Sequence, residues 1–161
     1  FEGQKEGNNA FGHRLTMLYS IVIYLSLLQS IFMTILSKWI VHILYGSAYS
    51  PAIGALQIVV WYSTFSYLGS VRNIWILANN MQKHLWKINM SGAMANVVLN
   101  AILIPIMGIN GAAVASLITQ FFTNVIVGYI IKPIRPNNKI LVDALNPKYL
   151  TDAIGKLIRR A

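Results

Sequence analysis

From Asn96 to Ile131 the chain runs for 36 residues without one charged side chain, and few folds can hold such a segment. About 20 apolar residues in a helix span the ~30 Å hydrocarbon core of a bilayer. Near its middle this run holds Pro105, which lacks the amide hydrogen a regular helix needs, and then Gly108 and Gly111, which permit a tight reversal. It therefore reads as portions of two membrane crossings joined as a helical hairpin. The amides inside it, Asn96, Asn100 and Asn124, need an explanation that water cannot supply.

The rest of the chain is built for the same solvent. It is 56% hydrophobic and 11% charged, with a mean hydropathy of +0.57, whereas soluble domains hold roughly a quarter charged residues. All four acidic residues, Glu2, Glu6, Asp143 and Asp152, lie near the ends, so the 117 residues from Leu15 to Ile131 carry no carboxylate. There is no cysteine, which excludes disulfides, thiolate nucleophiles and sulfur-ligated zinc. His13, His42 and His84 share no ligand spacing, so no metal site is expected. The expected fold is an all-α, polytopic transmembrane helix bundle. Its four crossings fall at about 15–36, 52–78, 85–107 and 109–131, between an arm at 1–14 and a tail at 132–161.

Charge sets the orientation. If the crossings alternate, twelve of the thirteen basic residues lie on one side, among them Arg14, Arg72, Lys83, Lys87 and all of the tail, and Lys38 alone on the other. The positive-inside rule then puts both ends in the cytoplasm. The same distribution argues against nucleic acid, since the basic residues flank crossings instead of forming a soluble basic face. No secretory signal is recognisable in the polar opening "FEGQKEGNNAFGHR". Trp39, Tyr45, Tyr49, Trp61, Trp75 and Trp86 read as interfacial belts. In the tail, "KPIRPNNK" should break the fourth helix, and Asn146 and Pro147 should cap and start an amphipathic one. Its apolar residues are Leu150, Ala153, Ile154, Leu157 and Ile158, and its polar ones Lys148, Asp152, Lys156, Arg159 and Arg160. It would lie on the anionic inner leaflet or dock a cytoplasmic partner.

Candidate site residues follow from depth. Counted from the hairpin turn at ~1.5 Å per residue, Asn100 lies roughly 10 Å deep and Asn96 roughly 16 Å, level with Thr119 and Gln120. Asn96 and Asn100 share one helix face, as do Gln120 and Asn124, so amide ladders can meet across the hairpin. Gly92, Ala93, Ala95, Gly111, Ala112, Ala113, Ala115 and Ser116 allow the two backbones to approach. Two readings stay open: the amides hold the helices together, or they line a substrate path. Arg72 lies one or two turns inside the cytoplasmic boundary, either as a snorkelling anchor or as a cation at the rim of an aqueous cavity, with Lys83 and Lys87 at its mouth. Gln29, and Ser63, Thr64 and Ser66, face either a cavity or their own helix backbone.

"LYGSAYSPAIGALQIVVWYSTFSYLGSV" and "WILANNMQKHLWKINMSGAMANVVLNAILIPIMGINGAAVASLITQFF" together resemble the C-terminal half of Wzx-type polysaccharide and O-antigen flippases, within the multidrug, oligosaccharidyl-lipid and polysaccharide exporter superfamily. The resemblance covers about residues 37 to 131. It rests most on Asn96 and Asn100 followed by "LIP" and "GINGAAVAS", with Gly46 and Tyr49 before a crossing as weaker support. It implies a two-lobed transporter of the bacterial inner membrane. Such a transporter passes an undecaprenyl-pyrophosphate-linked oligosaccharide between leaflets by alternating access, making and breaking no bond. It also implies a companion N-terminal lobe that this chain lacks, so the chain is expected to be a C-terminal fragment that cannot enclose the cavity alone. Membrane lipids and a glycan polymerase or glycosyltransferase are the further partners implied. A cation-coupled multidrug exporter and a non-transporting scaffold subunit are the alternatives.

Overall fold

The computed structural model describes the backbone of residues 2–158 and the side chains of residues 10–156 and 158. Lys5, Leu157, Arg159 and Arg160, which entered the charge and amphipathic readings, lie outside the described side chains. The described chain is all-α, with no strand. Its helices are α1 (Glu2–Tyr45), α2 (Ala52–Ala78), α3 (Lys83–Met107), α4 (Ile109–Ile130), α5 (Arg135–Asp143) and α6 (Pro147–Ile158).

The breaks fall where the backbone needs residues that tolerate a positive φ. Gly46, at φ 80°, ends α1 and opens a short 3-10 turn over Ser47–Tyr49, which the 3.1 Å contact between His42 Nε2 and Ser50 Oγ closes. Asn80, at φ 55°, turns the chain between α2 and α3. Gly108, at φ 57°, is the whole connection between α3 and α4, and Pro105 is accommodated in the last turn of α3. A Cβ on Gly111 would strike the backbone carbonyl of Leu103, so the hairpin closes with its two helices in contact.

Three helices are long and apolar enough to cross a membrane: the Ala10–Tyr45 stretch of α1, α3 and α4. The fourth expected crossing forms as a helix of 27 residues but falls short in apolarity, because Tyr62, Ser63, Ser66, Tyr67, Ser70, Arg72 and Asn73 dilute it. Its neighbours cover more of it than of α3, nine buried residues against three, but of those polar residues only Arg72 is buried, and Tyr67 and Ser70 stay exposed. The first crossing also differs from expectation. The arm, the crossing at 15–36 and most of the connection after it form one helix of 44 residues, about 66 Å long, because nothing between Gly12 and Tyr45 breaks a helix.

Along α1 and α2 runs a seam of small hydroxyl residues. Ser30 Oγ donates to the Val60 carbonyl at 2.9 Å and meets Thr64 Oγ1 at 3.0 Å, while Gln57 Nε2 donates to Ser37 Oγ at 3.0 Å. Thr64 is thus satisfied by α1 and faces no cavity. At the end that bears the termini, Leu15, Tyr19 and Ile23 of α1 pack with Leu68, Val71 and Ile76 of α2, Val127 of α4 and Leu141 of α5 in one core. Trp75 belongs to this core and not to an interfacial belt; Trp39, Trp86, Tyr45 and Tyr49 are exposed, as a belt requires.

The tail departs furthest from expectation. After a 3-10 turn at Lys132–Ile134 the chain is helical again from Arg135, with Pro136 in the first turn, where its missing N–H leaves no helical bond unmade. α5 was hidden behind those two prolines. Asn146 does cap α6, accepting the Lys148 amide at 3.0 Å. Both tail helices fold back along α1: Tyr19 Oη donates to Asn137 Oδ1 at 3.0 Å, Tyr24 Oη to the Leu145 carbonyl at 2.8 Å, and His13 lies 5.9 Å from Tyr149 between ring centroids. Ala153 is buried, while Ile154 and Ile158 stay exposed, so α6 spends part of its apolar face on protein and not on a leaflet.

Candidate functional site

α1 packs along α2, and α2 and α3 each pack along α4, but α2 and α3 barely touch. α2 and α3 therefore splay apart and leave a cleft floored by α4. The cleft is a cavity of about 500 Å³. Arg72 and Asn73 of α2 stand with Asn89 of α3 at the end nearer the termini; Asn96 of α3 and Gln120, Thr123 and Asn124 of α4 line it deeper. Asn96 lies seven residues beyond Asn89, roughly 10 Å further along α3.

Arg72 dominates the electrostatics. It is only 3% exposed. Nη1 donates to the Thr123 carbonyl at 2.6 Å and Nη2 to Asn73 Oδ1 at 3.3 Å, while Nε has no partner. Since the sequence holds no carboxylate between Leu15 and Ile131, the guanidinium stands among neutral dipoles, an expensive arrangement for a charge inside a membrane protein. A local defect in α4 supplies the acceptor: residues Phe122–Ile126 form a π-helical turn, and such turns loosen the regular carbonyl ladder. Arg72 takes the Thr123 carbonyl from one side, and Asn138 of α5 takes the Val125 carbonyl at 2.9 Å from the other. The tail and the cavity thus clasp the same turn.

The amides form ladders along each helix more than across the hairpin. Asn100 Nδ2 donates to Asn96 Oδ1 at 2.8 Å, and Asn124 Nδ2 donates to Gln120 Oε1. The two ladders do not bond each other; Asn96 Nδ2 instead crosses the hairpin to Thr119 Oγ1 at 3.3 Å. Gly92 and Gly69 make the approach possible, since a Cβ on Gly92 would meet Thr123 and one on Gly69 would meet the Asn124 amide.

Of the residues singled out by sequence, Ser66, Arg72, Asn96, Gln120 and Asn124 line the cavity, and Asn100 sits behind Asn96. Lys83 and Lys87 are exposed at the start of α3, outside the lining. Gln29 is elsewhere, exposed on the outer side of α1 beside a groove shared with α2. Sequence reasoning missed Asn73, Asn89, Asn137 and Asn138. Only Asn89 left a signal, since 89, 96 and 100 follow helical spacing. The lining has no carboxylate, imidazole, thiol or amine, so it offers hydrogen bonds, the Tyr62 phenol and one positive charge. No cluster of three potential metal ligands occurs among the described residues. A scan against protein-family models and searches of curated proteins and solved structures return no match to this chain.

Proposed function

We propose that the chain forms part of the second lobe of a flippase of the bacterial inner membrane, which passes lipid-linked oligosaccharides towards surface polysaccharide or O-antigen synthesis. The buried, carboxylate-free Arg72 at the shallow end of a hydrogen-bonding cavity carries this reading. A cavity-lining guanidinium without a carboxylate partner suits the diphosphate of such a lipid, and the amides and hydroxyls beyond it suit sugar hydroxyls. The basic residues at the same end favour a cytoplasmic position for it, on the leaflet where the substrate would load. A cation-coupled exporter would need an acidic group that this lining lacks. The test is restoration of surface glycan in a flippase-null strain by the intact transporter that contains this chain. Arg72→Gln should abolish display at unchanged protein level and Arg72→Lys should retain part of it; full display by Arg72→Gln would overturn the proposal.

A further inference from the structure

α1 carries a second pattern that the cavity does not use. Leu18, Val22, Leu25, Gln29, Phe32 and Leu36 follow one another at intervals of four, three, four, three and four, the spacing of a left-handed coiled-coil seam. Leu25 is 63% and Phe32 61% exposed, and Gln29 is exposed between them. Val22 and Leu36 are half-buried, Val22 against the core of this chain, so the part of the seam that stands free is Leu25, Gln29 and Phe32, along the edge where α1 meets α2. A groove of about 380 Å³ runs beside it, closed on the far side by Tyr67, Val71 and Ile74 of α2.

Gln29 is the anomaly in that seam. It lies ten residues from both Tyr19 and Trp39, roughly 15 Å from each, which places it at the middle of the hydrocarbon core. Gln57, Asn96, Asn100 and Asn124 all donate to partners within the described chain; the Gln29 amide bonds to none of the described residues. In lipid such an amide is costly. A second copy of the chain resolves the cost by geometry alone. Inserted with the same topology, its α1 runs parallel, its Gln29 arrives at the same depth, and an amide is both donor and acceptor, so a two-fold pair satisfies itself. One polar residue in an otherwise apolar seam is also how parallel helix pairs fix their register.

We infer that α1 pairs with the α1 of a second copy of this chain, in a parallel two-fold seam held at its centre by paired Gln29 amides. The pairing is independent of what the cavity carries, and its test does not use transport. Because the chain has no cysteine, Leu25→Cys, Phe32→Cys and, as a control on the other exposed edge of α1, Ile31→Cys can each be introduced singly into the full protein. Oxidation in native membranes should give a disulfide-linked homodimer from Leu25→Cys and Phe32→Cys but not from Ile31→Cys. Adding Gln29→Leu to Leu25→Cys should weaken pairing roughly three- to thirtyfold, the range of one interhelical hydrogen bond, and Gln29→Asn should largely preserve it. Cross-linking to a different polypeptide, cross-linking no greater than the control, or indifference to Gln29→Leu would each overturn the inference.

Discussion

Replacing Arg72 by methionine separates a structural role from a functional one, because the two predict opposite outcomes. Methionine keeps most of the length and packing and removes the charge. The variant loses the bond from Nη1 to the Thr123 carbonyl, worth about 1.5–3 kcal/mol for a charged donor, and a longer, weaker one to Asn73. Against that, it no longer buries a cation that no carboxylate of this chain compensates, a cost that insertion scales cap at about 2.5–3.5 kcal/mol, the value at the bilayer centre. The two nearly cancel, so unfolding of the purified protein in detergent should shift by no more than about 1 kcal/mol either way. Transport should behave differently. Losing a buried charged contact to an anion costs about 2–5 kcal/mol, so glycan display per folded molecule should fall at least roughly tenfold. Stability loss above about 3 kcal/mol, with display falling only in step with protein level, would make Arg72 a clamp on the α4 turn and nothing more.

Three further outcomes follow from single contacts. Gly69→Ala drives a methyl group into the Asn124 amide and should cost about 1–3 kcal/mol as overpacking; an unchanged melting temperature would contradict the close approach of α2 and α4. Asn138→Leu leaves the Val125 carbonyl in the π-helical turn without its donor, at about 1–3 kcal/mol, and should speed amide exchange from Val127 to Ile131; unaltered exchange would mean that the tail does not hold that turn. Asn96→Leu removes the bond to Thr119 and should loosen the hairpin by about 0.6–2 kcal/mol, read by thermal unfolding against Asn100→Leu, which leaves that bond in place.

What was legible in the sequence was whatever a one-dimensional pattern can encode. The turn between α3 and α4 was marked by Gly108 and the end of α4 by the Lys132–Pro133 pair, residues whose backbone chemistry acts locally. The grouping of Arg72, Asn96, Gln120 and Asn124 was legible because depth and helical phase can be counted. The splay of α2 from α3 was not, since it arises from both helices preferring α4, and no local signal records a preference between distant surfaces. Gln29 shows the same limit: its mid-membrane depth could be counted, but which way it faced depended on the hydroxyl seam between α1 and α2. α5 was missed for a different reason, because Pro136 reads as a breaker until the helix start falls one residue before it.

The most direct test of the central claim uses one cysteine at Asn96, deep in the cavity wall. The intact transporter carrying Asn96→Cys would be exposed in sealed vesicles of either orientation to an impermeant, negatively charged thiol reagent, with and without a lipid-linked diphosphate sugar. The cavity should admit the anion from the side bearing the tail, and the lipid-linked diphosphate should protect the thiol. No labelling from that side, or labelling that the diphosphate lipid leaves unchanged, would contradict a cavity built to receive it.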